Sequence, residues 1–140
     1  MDATLSKYQP VVLSLFRFII GLLLFQYGVA KLLKFPPGTV FAKVELFSLV
    51  GAAGTIELVL GGLLMIGLFT RIVAFIISGE MAIAYLFYHM YSVLKDATPK
   101  FEFFPLLNGG TAAIAFCFAC LYLSTAGGGP ISVDAKMGRI

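Results

Sequence analysis

Ionisable side chains recur inside long apolar stretches of this chain, and that combination leaves few folds open. Arg17, Lys31, Glu57, Glu80 and His89, with the polar Asn108, sit within runs built otherwise from Leu, Ile, Val, Phe, Ala and Gly. Four such runs, at about 11–33, 47–69, 71–94 and 105–126, reach the roughly 20 residues a helix needs to cross a bilayer core. The 140 residues are 60% hydrophobic and 12% charged, with a mean hydropathy of +0.99. Soluble domains carry about 25% charged residues, so this chain stands outside their class. The expected fold is an all-α membrane protein, an antiparallel four-helix transmembrane bundle forming a single domain over residues 1–140.

Punctuation between the runs fits that expectation. The first is too long for a signal-peptide core, contains Arg17, and leads into Lys31 and Lys34 instead of a small-residue cleavage site; it is expected to stay as a helix. Pro36 and Pro37 stop it, since proline lacks an amide donor and biases the preceding residue away from the helical region. Runs two and three are separated only by Gly67-Leu-Phe-Thr70-Arg71, which predicts a tight hairpin with Gly67 closing one helix and Thr70 N-capping the next. The most polar loop is Lys95 to Glu102, and Gly127-Gly-Gly-Pro130 ends run four before a short polar tail. Four crossings place both termini on one side of a cell membrane, with the cytoplasmic side expected. Lys and Arg do not decide this: Lys7, Arg71, Lys136 and Arg139 on the terminal face balance Lys34, Lys43, Lys95 and Lys100 opposite.

A charge at the centre of a membrane helix costs roughly 2.5–3.5 kcal/mol on insertion scales, so such groups face inward and pair. Counting about 1.5 Å per residue from the terminal face, Arg17 lies roughly 9 Å in, Glu80 roughly 13 Å and Glu57 roughly 18 Å. This predicts a central cluster in which Arg17 pairs with Glu80, with Glu57 just deeper. Tyr27, Lys31, His89 and Asn108 fall near the far face and form a second expected cluster, with Lys31 able to reach the headgroups from its helix end. The central cluster reads equally as a structural ion pair fixing helix register and as a proton or ligand site. The far-face cluster, wetter and richer in proton-handling groups, is the better candidate site.

Small residues mark the faces expected to meet, because membrane helices pack by close approach. The seams are Arg17, Gly21, Leu24, Gly28 and Lys31 on the first helix, Ala53, Gly54, Glu57 and Gly61 on the second, and Asn108, Ala112, Ala115, Ala119, Tyr122 and Ala126 on the fourth. Cys117 and Cys120 form a CxxC in mid-run, where desolvation disfavours a thiolate; they read as two small apolar residues. One histidine offers no Cys/His metal spacing, and no phosphate-binding loop, hydrolase triad or dinucleotide fingerprint appears. The formal charge of +3 is scattered, without the basic run that nucleic acid would need.

Taken in order along the chain, the landmarks resemble the DoxX family (DoxX/DoxD-like) of four-helix integral membrane proteins. They are Arg17-x-x-x-Gly21, Gly28-x-x-Lys31-Leu32, Glu57-x-x-x-Gly61-Gly62-Leu63-Leu64, Gly67-Leu-Phe-Thr70-Arg71, Met81-x-x-Ala84, Asn108-Gly109-Gly110 and Gly129-Pro130-x-Ser132-x-Asp134. Proteins of this family commonly have a carboxylate after Asn-Gly-Gly, where this chain has Thr111, while Glu80 lies outside the landmarks. The family takes its name from a link to thiosulfate:quinone oxidoreductase subunits, so the resemblance implies a redox neighbourhood more than a reaction.

Three functions stay open. The first is a small accessory or structural subunit of a larger membrane assembly, redox-associated and quinone-linked, touching lipid and other membrane subunits and without activity on its own. The second is a quinone-handling oxidoreductase subunit related to thiosulfate:quinone oxidoreductase, in which Tyr27, His89 and Glu57 could supply proton donors; no cofactor is evident, and a quinone is compatible with the pattern. The third is a small-solute or proton transporter using Glu57 and Glu80, ranked last because Gly61-Gly62 has no matching helix interruption elsewhere.

Overall fold

The computed structural model describes residues 2–139 and is wholly helical among them. The elements are α1 (Asp2–Ser6), α2 (Gln9–Leu33), α3 (Leu49–Ile66), α4 (Thr70–Ile83), α5 (Pro105–Asn108), α6 (Thr111–Ala126) and α7 (Val133–Lys136), and α4 continues as a π-helical segment over Ala84–Met90. Gln9–Leu33, Leu49–Ile66 and Thr70–Met90 are long and apolar enough to cross a membrane, while α6 is a shorter apolar helix of 16 residues. The apolar side chains of Ile72, Phe75, Val59 and Phe118 point outward, as lipid contact requires.

Local chemistry sets the boundaries. Pro10 opens α2, where its missing N–H costs no helical bond. Lys34 closes it in the left-handed conformation at φ 57°, and its Nζ donates to the carbonyls of Lys31 (2.7 Å), Phe41 (3.1 Å) and Val44. Ser48 caps α3, accepting the Gly51 amide at 3.1 Å. Gly67, at φ 72°, ends α3 and donates its amide to Leu63 O and Leu64 O. Thr70 does not cap α4 as the sequence predicts. It is the first helical residue, because the carboxylate of distant Asp134 takes the Phe69 and Thr70 amides at 2.8 Å each. Helix four is also not continuous from 105: Gly109, at φ 75°, separates α5 from α6.

Helices α2 and α3 form the tightest pairing, with the start of each against the end of the other. A methyl group added at Gly21 would stand 2.5 Å from Met65 N, and one at Gly61 would stand 2.7 Å from Phe25 N, so only hydrogen fits between the two backbones. The α2 seam of Arg17, Gly21, Leu24, Gly28 and Lys31 is buried throughout, as are Gly54, Glu57 and Gly61 on α3. Helix α6 departs from its expected face. It packs on α4 through Ala113, Cys120 and Leu123, flanked by Phe116 and Cys117, and leaves Ala112, Ala115 and Tyr122 outward. The face of α4 offered to it mixes Val73, Ile77 and Met81 with the small Ala74 and Ser78, and this partner face, meeting Ala113, Cys117 and Cys120, selects the contact in place of the alanine stripe.

Candidate functional site

The polar residues regroup along lines set by side-chain direction. Cα–Cβ bonds tilt toward a helix's N-terminus. Lys31, near the end of α2, therefore leans back into the span, and Glu57, on α3 running the other way, leans toward it. Lys31 Nζ donates to Oε1 and Oε2 of Glu57 at 2.8 and 2.7 Å, in a pair whose side chains are 10% and 4% exposed. Lys31 thus does not snorkel to the headgroups. Its ammonium also faces the rings of Phe41 at 5.2 Å and Tyr27 at 5.8 Å, and Tyr27 packs edge-on against Phe41 and Phe116. These aromatic faces cover the pair and add cation–π attraction on the side that Glu57 leaves open.

Glu80, on α4, is the third ionisable group. Both its carboxylate oxygens are buried and neither has a hydrogen-bond partner among the described residues. The charged groups that bear on it are Glu57 and Lys31. A carboxyl group in that position has two ways to be satisfied: it holds a proton, or it accepts hydrogen bonds from something that enters the site.

Arg17 takes no part in this cluster, and the expected Arg17–Glu80 pair does not form. The same tilt aims Arg17, near the start of α2, at the terminal face. Carbonyls converge on it there: Nε donates to Gly128 O (2.9 Å), Nη1 to Leu64 O (2.7 Å) and Met65 O, and Nη2 to Ile131 O (2.6 Å). Leu64 and Met65 are among the last carbonyls of α3, which lack partners within their own helix. One guanidinium, 3% exposed, thereby ties α2, the end of α3 and the chain after α6 together.

The far-face group also divides. Tyr27 and Lys31 join Glu57, whereas His89 and Asn108 stay together elsewhere. His89 Nδ1 lies 3.1 Å from Asn108 O, Asn108 Nδ2 donates to Glu102 O at 3.0 Å, and Asn108 Oδ1 accepts the Gly110 amide at 2.7 Å. Asn108 thus organises the break before α6 through backbone bonds. No hydrogen bond connects His89 and Asn108 to the Lys31–Glu57 pair among the described residues.

Sequence reasoning missed the tail. Ser14 Oγ accepts the Ile131 amide (3.1 Å), Ser132 caps α7 by accepting the Ala135 amide (3.1 Å), and the Asp134 amide donates to Gly67 O (2.9 Å). Burial alone would raise the Asp134 carboxyl, but hydrogen bonds from the Thr70 and Phe69 amides, with Arg139 nearby, hold it below the ordinary carboxylate range. The signal was the Gly129-Pro130-x-Ser132-x-Asp134 landmark, read as a tail because no helical period runs through it. Cys117 and Cys120 are free thiols, and Ser78 Oγ donates to Cys117 O at 2.8 Å. Among the described residues no group of three or more His, Cys, Asp or Glu is placed to hold a metal ion.

The family model described as DoxX matches residues 12–90, a stretch that includes Arg17, Lys31, Glu57 and Glu80. A Haemophilus influenzae protein described only as an uncharacterized protein is 39% identical over 135 residues, covering 94% of this chain and 95% of the relative. No solved structure matches. The match across more than half of the chain, over helices that carry the buried charges, makes this protein a member of the DoxX family.

Proposed function

We propose that this protein is a small accessory subunit of a quinone-linked redox assembly in the cell membrane, and that Lys31, Glu57 and Glu80 are its working part. The observation that carries the reading is the bare Glu80 carboxylate. Arg17, Lys31, Glu57 and Asp134 all have hydrogen-bond partners, so Glu80 stands apart from the other buried acidic and basic side chains among the described residues. A group that destabilises the fold without compensation is where a ligand or a proton finds its use.

The residues fit a quinone. A reduced quinone presents hydroxyl donors, whose hydrogen bonds the buried, unpartnered carboxyl group of Glu80 would accept on binding. Lys31 has three donors, two of them on Glu57, and Tyr27 and Phe116 supply aromatic walls. When bound, the quinone supplies the electron chemistry. The chain's own residues would orient its head, exclude water and hold a proton at Glu80. Electrons come from a partner, which makes the role accessory and leaves the lone chain without activity. In this reading four apolar helices, with α6 as the fourth, cross as one antiparallel bundle and both termini face the cytoplasm.

Isolation from native membranes in mild detergent tests the assembly. Recovery in fixed stoichiometry with a quinone-reducing enzyme is expected, together with slower quinone reduction by the same assembly carrying Glu80→Gln. A stable lone monomer, or an E80Q assembly of undiminished rate, contradicts it.

One feature favours a second reading, a proton or small-solute carrier: α4 passes into a π-helical segment and α5 is broken from α6 at Gly109, so two of the apolar segments are irregular. Neutral replacement of both Glu57 and Glu80 with unchanged uptake would remove it.

A further inference from the structure

The terminal face carries a second site, unrelated to the intramembrane charges. A cleft of about 490 Å³ opens where the first turns of α2 and α4 meet the end of α6 and the returning tail. Its size falls within the roughly 300–1,000 Å³ of small-molecule sites. The walls are mostly apolar, with Pro10, Leu13, Phe69 and Ile72 among them. Ile72 is 66% exposed and continues outward into the apolar surface of α4, so the cleft is open to the acyl region of the surrounding lipid.

Two arginines stand in the lining. Arg71 donates through Nη1 to Ser124 O (3.3 Å) and to Thr125 O, which fixes the guanidinium while leaving Nε and Nη2 without hydrogen bonds among the described residues. Arg139 lies 4.8 Å from the Phe69 ring centroid, held by its backbone bond to Asp134 O (2.8 Å), and its guanidinium makes no hydrogen bond among the described residues. The one acid in the lining is Asp134, whose two oxygens already accept the Phe69 and Thr70 amides. The cleft therefore offers free donors to an anion and no free carboxylate to an ammonium group.

We infer that this cleft binds one anionic glycerophospholipid, with its phosphate between Arg71 and Arg139 and an acyl chain leaving over Leu13 and Ile72. The charge balance, two arginines against the single Asp134 carboxylate that the Phe69 and Thr70 amides already occupy, selects a lipid such as phosphatidylglycerol over zwitterionic lipids. Placement at the helix ends puts the arginines at headgroup depth, and the apolar wall gives the lipid an advantage that a free phosphate lacks.

Native mass spectrometry of the full chain in detergent, titrated with phosphatidylglycerol or phosphatidylcholine of equal chain length, tests this. One phosphatidylglycerol per chain is expected, retained at least tenfold better than phosphatidylcholine, with inorganic phosphate at millimolar concentration failing to displace it. The double variant R71Q/R139Q should lose the preference. Because Arg71 also holds the end of α6, Arg139→Gln alone is the second variant, and it should weaken retention severalfold with an unchanged melting temperature. Equal retention of the two lipids by the wild type, an undiminished preference in R139Q, or displacement by inorganic phosphate overturns the inference.

Discussion

Lys31 donates to both carboxylate oxygens of Glu57, at 2.8 and 2.7 Å, across the tightest helix pairing in the molecule. Removing one partner strands the other charge in a buried place, so Lys31→Met should destabilise by about 3–5 kcal/mol. The double change K31M/E57L removes both charges and should recover most of that loss. Thermal melts in one detergent decide the matter: a double variant no better than K31M would show that the pair is not what holds the site.

Glu80 behaves oppositely. Its buried oxygens lack partners, so Glu80→Leu should leave stability unchanged or raise it by about 1–3 kcal/mol, the cost of an unsatisfied buried polar group. A loss of more than about 1 kcal/mol would mean that Glu80 has a structural partner.

Close approach of α2 and α3 gives a third expectation. Gly21→Leu would push side-chain atoms into the Gly61, Leu64 and Met65 backbone, and overpacking of this kind costs about 1–3 kcal/mol or more. The same change at Gly79, which has open space around its added Cβ, should cost little. Similar melting temperatures for the two variants would contradict the packing described.

Helix seams on α2 and α3 were legible in the sequence because glycine spacing reports backbone contact directly. The α6 face was not, since alanine stripes and bulky faces pack equally well and the partner face decides. Charge pairing failed for a related reason. Depth along the axis placed Arg17 beside Glu80, but depth ignores the tilt of side chains, which sends Arg17 to the terminal face and Lys31 inward. Helix caps supplied by distant residues, such as Asp134 on α4, leave no local spacing to read.

Asp134 makes the fold sensitive to acid. Its carboxyl is held below the ordinary value by the amides it caps, so its contribution is present above the unfolded value of about 3.9 and is lost as pH falls through the folded one. Asp134→Ala should cost about 0.5–2 kcal/mol at pH 7, as loss of an N-cap does. The wild type should lose that advantage as pH falls from about 5 into the strongly acidic range. Parallel decline of the two proteins over that range would contradict the role given to Asp134.

The bare carboxylate of Glu80 is what the proposed function rests on, and ligand binding tests it most directly. A short-chain quinol titrated into the purified full chain in nanodiscs, followed by equilibrium dialysis, compares wild type with Glu80→Gln at matched folding. Saturable binding by the wild type, weakened at least tenfold in E80Q, is the result expected. Equal binding by the two proteins, or none by the wild type, would contradict a quinone site at Glu80.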